Sequence, residues 1–88
     1  MGLDRLERWA TVRHFRLAIA LFEYGSVVHA ARSLHLSQPT ASKLLQDLEE
    51  AVGAQLYIRN RRGVTPTELG RAFVERSRMV LAQLDHVS

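Results

Sequence analysis

The sequence predicts a mainly α fold: a winged helix-turn-helix, with a three-helix core and a two-stranded wing, followed by a long linker helix. Three observations predict it. Two apolar-periodic segments flank a short turn that ends in a Ser-x-Pro helix start. A β-prone run, a glycine turn and a brief return strand come next. A last segment of about 20 residues carries a helical apolar stripe to the end of the chain.

The first helix is expected from Leu6 or Thr11 to Tyr24, with Val12, Phe15, Ala18, Ile19 and Phe22 as its inward face. Trp9 and Phe15 read as core. Gly25 is a left-handed stop. Ser26 then caps a short second helix whose apolar face is Val27, Ala30, Ala31 and Leu34. After a turn over His35 and Leu36, Ser37 caps a third helix, with Pro39 in its first turn where a missing N–H does no harm. That helix turns Ala41, Leu45, Leu48 and Val52 inward and stops at Gly53. Gln55-Leu56-Tyr57-Ile58 is read as a strand, Arg59 to Gly63 as a turn, and Val64-Thr65 as the return strand. Thr67 caps the last helix, which starts at Glu68 and carries the stripe Leu69, Phe73, Val80, Leu84 and Val87, interrupted by Ser77. The expected division is residues 1–66 as the winged unit with an N-terminal extension, and 67–88 as a linker and dimerisation helix.

Composition narrows the function classes. With 88 residues the chain forms one small domain, and 47% hydrophobic against 24% charged residues is the balance of a globular protein. No apolar run approaches a membrane span, and residues 1–10 do not read as a signal peptide. The absence of cysteine excludes disulfides and thiol chemistry and suggests a cytoplasmic setting. No histidine pairs with an acid at metal-ligand spacing, and His14, His29, His35 and His86 read as surface or turn residues. There is no nucleophile elbow or phosphate-binding glycine loop. No enzyme activity, metal or cofactor is expected.

Charge placement is more telling than the net +3. Residues 24–46 and 51–67 contain no acid, yet carry Arg32, Lys43, Arg59, Arg61 and Arg62. A polyanion could follow such a surface without meeting a carboxylate. The third helix starts with Ser37-Gln38-Pro39-Thr40-Ala41-Ser42-Lys43, which suits a helix entering a DNA major groove by its N-terminus. Gln38 can pair with adenine. Pro39 and Thr40 can pack on a thymine methyl. Ser42 permits close approach, and Lys43 suits guanine or phosphate. Ser26, Ser37, Arg59 and Arg61 are candidate phosphate contacts, and Arg62 beside Gly63 is the candidate for the minor groove. A Ser-x-Pro start alone is often a plain polar helix start, and an isolated arginine triplet is more often a solvated loop. The order helix, turn, reader helix, wing favours DNA. The competing reading is a helical protein adaptor whose basic surface is incidental.

Ala30-Ala31-Arg32-Ser33-Leu34-His35-Leu36-Ser37-Gln38-Pro39-Thr40-Ala41-Ser42 resembles the LysR-type signature AAxxLxxSQPAxS. Leu48-Glu49, Gly53, Leu56, Arg59, Arg62-Gly63 and Thr67-x-x-Gly70 continue it in register. The resemblance implies a bacterial transcription regulator binding an interrupted inverted repeat of double-stranded DNA as a homodimer, or as a tetramer at full length. It places DNA contacts at Ser37, Gln38, Pro39, Ser42, Lys43 and Arg62, and dimerisation on the helix after Thr67. A family member normally continues into an effector-binding domain that is absent here, so a fragment that binds DNA without sensing a ligand is expected. Three departures stand out: about ten residues precede the usual start, Lys43 stands where arginine is commoner, and Pro66 replaces an apolar residue and is expected to stiffen the hinge.

Overall fold

The computed structural model describes residues 11–87, with side chains through residue 84. Six elements follow in order: α1 (Val12–Tyr24), α2 (Val27–Ser33), α3 (Gln38–Val52), β1 (Tyr57–Asn60), β2 (Gly63–Pro66) and α4 (Glu68–Val87). The expected class and element order are those observed. Residues 1–10, with Leu6 and Trp9, lie outside the described residues, as do the side chains of His86 and Val87.

Helix α1 is the hub, packing against α2, α3, α4 and β2. Its buried residues are His14, Phe15, Leu17, Ala18, Ala20 and Leu21. This corrects the expected face: Val12 and Phe22 are exposed, at 40% and 38%, and Ile19 is only partly buried. Neighbours on several sides give α1 a buried arc wider than one helical stripe. His14, expected at the surface, is 8% exposed. Its Nδ1 lies 3.1 Å from the Thr11 amide that donates to it and 2.9 Å from Thr11 Oγ1, closing the start of α1. Burial pushes its pKa below the ordinary 6.5, which Asp47 opposes and Arg13 reinforces.

Helices α2 and α3 bury most of the residues expected of them, Val27, Ala30 and Ala31, then Ala41, Leu45 and Leu48, while Leu34 and Val52, at the helix ends, are only partly buried. The two alanines of α2 let α3 approach closely. Two left-handed glycines, Gly25 and Gly53, end α1 and α3.

The wing's strands have other bounds than expected. β1 starts at Tyr57 rather than Gln55 and runs through Arg59 and Asn60, which were expected in the turn. β2 spans Gly63 to Pro66, with Tyr57 opposite Pro66 and Asn60 opposite Gly63. A carboxylate from α3 meets the chain where β1 begins. Glu49 Oε2 accepts the amides of Leu56 and Tyr57 at 2.7 and 3.1 Å, so those N–H groups are satisfied by a side chain as the chain enters the ladder. Tyr57 is buried and its hydroxyl donates to the Ala18 carbonyl at 2.6 Å, fastening the wing to α1. Burial raises that phenol above its ordinary range.

Helix α4 is rooted in the core. Thr67 Oγ1 accepts the Gly70 amide and donates to the Gln55 carbonyl at 2.8 Å, while the Thr67 amide donates to the Leu56 carbonyl at 2.9 Å. A Cβ at Gly70 would lie 2.0 Å from that same Leu56 oxygen, so only glycine fits against it. Phe73 is 1% exposed and stacks on Phe15 with centroids 5.9 Å apart. Val74 and Ser77 are also buried, and Ser77 Oγ donates back to the Phe73 carbonyl at 2.7 Å, which makes a buried hydroxyl tolerable. The boundary at 66/67 therefore marks where a helix starts, and the core continues through the first half of α4. Phe73 is corrected from dimerisation residue to core residue, and Leu69 and Val80 pack partly against that core.

Candidate nucleic-acid interface

The start of α3 presents Ser37, Gln38 and Pro39 to solvent, with Thr40 and Ser42 half-buried and Lys43 exposed. Ser37 is less free than expected. Its Oγ accepts the Thr40 amide at 3.2 Å and donates to Thr40 Oγ1 at 2.8 Å. Pro39 has no N–H, and the Ala41 amide bonds the Ser37 carbonyl. The Gln38 amide is thus the donor left over in the first turn for an anion. Lys43 Nζ is paired with Asp47 at 2.9 Å, which raises its pKa. The pair is an exposed one-turn contact, weak enough for Lys43 to exchange it for another anion.

Besides Glu49 near the end of α3, a second side chain joins the wing to this helix, close to its start. Arg59, on β1, donates through a terminal guanidinium nitrogen to Ser42 Oγ at 3.2 Å. The sequence offered no sign of this link, because it spans 17 positions and two different elements. At the tip, Asn60 Oδ1 accepts the Arg62 amide at 2.9 Å and orders the two-residue loop. Gly63 takes a φ of 139°, so Arg61 and Arg62 keep ordinary backbone conformations and stand exposed. Neither makes an ion pair with another described residue.

Ser26 caps α2, accepting the His29 amide at 3.3 Å. The wing packs beside it: the Val64 amide donates to the Gly25 carbonyl at 3.0 Å. A Cβ at Gly63 would lie 1.9 Å from that carbonyl oxygen. The start of α2, the start of α3 and the wing are therefore held in one assembly by Arg59–Ser42 and by Gly63 against Gly25. Acid is scarce there; Asp47, already paired with Lys43, is the first carboxylate met along α3.

The expected dimerisation residues divide. Phe73, Leu69 and Val80 contribute to the core as above, and Leu84 is 49% exposed. Met79, which the apolar stripe did not include, is 53% exposed on the same helix. Among the described residues no group of three His, Cys, Asp or Glu side chains is placed to hold a metal, and no helix is long and apolar enough to cross a membrane.

A family model described as "Bacterial regulatory helix-turn-helix protein, lysR family" matches residues 12–71. The HTH-type transcriptional regulator GbpR of Azospirillum brasilense is 45% identical over 73 residues, which is 83% of this chain and 21% of that protein. The small neutral protease regulatory protein of Streptomyces coelicolor is 42% identical over 74 residues, 84% of this chain and 23% of its own. The chain thus spans less than a quarter of the length of these two relatives. Among solved structures, the CbnR DBD–DNA complex superposes with a TM-score of 0.84 at 35% identity, covering 89% of this chain and 90% of that one. The BenM DBD/catB site 1 DNA complex does so with a TM-score of 0.83 at 35% identity, covering 89% and 88%.

Proposed function

From the premise that the chain belongs to the LysR family of bacterial regulatory helix-turn-helix proteins, we propose that it binds double-stranded DNA sequence-specifically, two copies reading an interrupted inverted repeat. The observation that carries this reading is the acid-poor surface on which the α3 start and the wing are tied together through Arg59 and Ser42. The similar structures solved with DNA support it.

In this reading the start of α3 enters the major groove. Gln38 reads a base edge through two hydrogen bonds, Pro39 and Thr40 pack on thymine methyls, and Ser42 and Lys43 complete the contact. Lys43 leaves Asp47 to do so. Ser26, the Gln38 amide beside Ser37, Arg59 and Arg61 hold phosphates, and Arg62 reaches the minor groove. The far part of α4, with Met79, Val80 and Leu84, pairs with a second copy. Its 20 residues reach about 30 Å, comparable to the roughly 34–36 Å between half-sites on one DNA face. The chain is a binding module without a reaction or cofactor of its own, and the process it serves is transcription regulation in the bacterial cytoplasm.

Selection of bound duplexes from a random pool tests this directly. The expected product is a two-fold-related motif. Affinity for it should fall by about 10³–10⁵ between 50 and 200 mM salt if the dimer makes roughly 6–10 phosphate contacts. A pool without a motif, or binding indifferent to salt, would favour a protein-binding adaptor.

A further inference from the structure

A serine hydroxyl is an ambiguous reader. It has one hydrogen to give and two lone pairs, so it can answer either a donor or an acceptor on a base edge. In this protein the ambiguity is reduced before any DNA arrives. Arg59 can only donate, and it donates to Ser42 Oγ at 3.2 Å. That bond occupies a lone pair of the hydroxyl and places a cation beside it. A hydroxyl that accepts from a guanidinium points its own hydrogen elsewhere, and Ser42 Oγ donates to none of the described residues. Lys43, the next residue, is drawn to Asp47 and leaves the hydroxyl to Arg59.

We infer that Arg59 is a specificity-determining positioning residue: it sets Ser42 as a hydrogen-bond donor, so that the base edge facing Ser42 is read for an acceptor. The acceptors available in the major groove are purine N7, guanine O6 and thymine O4. The amino groups of adenine and cytosine are disfavoured, because a donor arriving at Ser42 Oγ meets the guanidinium's charge and a lone pair already in use. The remaining N–H groups of Arg59 stay available for a phosphate, so one side chain serves both affinity and readout. The inference rests on the proposed placement of α3 in the major groove.

The test compares selected duplexes for the wild-type chain, Arg59→Met, Ser42→Ala and the double variant. In the wild type, one base-pair position should prefer an acceptor by about two- to tenfold, the range of one neutral hydrogen bond. Arg59→Met and Ser42→Ala should flatten preference at that same position, and the double variant no more than Ser42→Ala alone. Preference at the position read by Gln38 should survive in all three. If Arg59→Met weakens every sequence alike and leaves each preference intact, or if the two single changes act at different positions, Arg59 is only a phosphate contact and the inference is wrong. If the wild-type pool yields no motif, the DNA-reading function itself fails. Arg59 is exposed, so the variant should fold. Should melting show otherwise, Arg59→Ala, which has no donor to give Ser42, takes its place with the same expected pattern.

Discussion

Replacing Gly63 by alanine should loosen the wing from the body of the protein. An added Cβ would stand 1.9 Å from the Gly25 carbonyl oxygen and 3.1 Å from its carbon. Carbon–oxygen contacts begin at about 3.3 Å, so the hairpin must retreat by more than an ångström. Both partners are backbone, and neither can rotate away. The retreat breaks the 3.0 Å bond from the Val64 amide to Gly25, at about 1 kcal/mol. A side chain at φ 139° adds about 1–3 kcal/mol of backbone strain. The sum, about 2–4 kcal/mol, is a large part of the stability of a small domain and corresponds to a melting drop on the order of 10–30 °C. Thermal unfolding followed by circular dichroism would measure it, and amide exchange at Val64 would locate it. DNA affinity should fall as Arg61 and Arg62 move, with the preference read by Gln38 retained. A variant that melts within a degree or two of the wild type, with the Val64 amide still protected, would refute the packing argument.

Three further outcomes are expected. Gln38→Ala should cost about 1–3 kcal/mol of discrimination at one base pair; binding assays on single-base variants of the selected site would measure it, and an equal loss on every sequence would contradict a reading role. Arg62→Ala should weaken specific and non-specific duplexes together and flatten the salt dependence by about one for each phosphate that the side chain neutralises, which titrations at several salt concentrations would report. His14 has a folded pKa below 6.5, so the unfolded chain takes up its proton first and stability falls as pH drops below about 6.5. Protonating Nδ1 also removes the acceptor that holds the Thr11 amide. Melting temperatures between pH 7.5 and 5.5 should therefore decline in the wild type and change less in His14→Phe; equal slopes would remove His14 from the explanation.

Helix starts and stops were legible because they are local: Ser26, Ser37 and Thr67 cap helices within three residues of themselves, and Gly25 and Gly53 end them. The buried faces of α2 and α3 were legible because polar residues bound them. The face of α1 was not. Leu17 to Phe22 is apolar at every position, so several helical phases fit, and only the neighbours of α1 decide among them. Phe73 fits a partner-facing stripe by its spacing, and only the Phe15 ring that covers it assigns it to the core. The start of β1 is held by Glu49, seven and eight positions before the amides it accepts, a link that local sequence does not display. In the candidate site, the exposed α3 start and the arginine tip follow from residue type and order. The Arg59–Ser42 bond and the internally engaged Ser37 hydroxyl arise only from three-dimensional proximity and side-chain rotamer.

The Leu56 carbonyl sits at the root of both the hairpin and the long helix, touched by the Thr67 amide, by Thr67 Oγ1 at 3.2 Å and by the bare face of Gly70. The helix is accordingly a tiller and not a tether. These contacts tie the first turn of the helix to the residue that leads into the hairpin. In the proposed dimer, the way two copies pair along these helices would then set how widely their hairpins straddle the duplex.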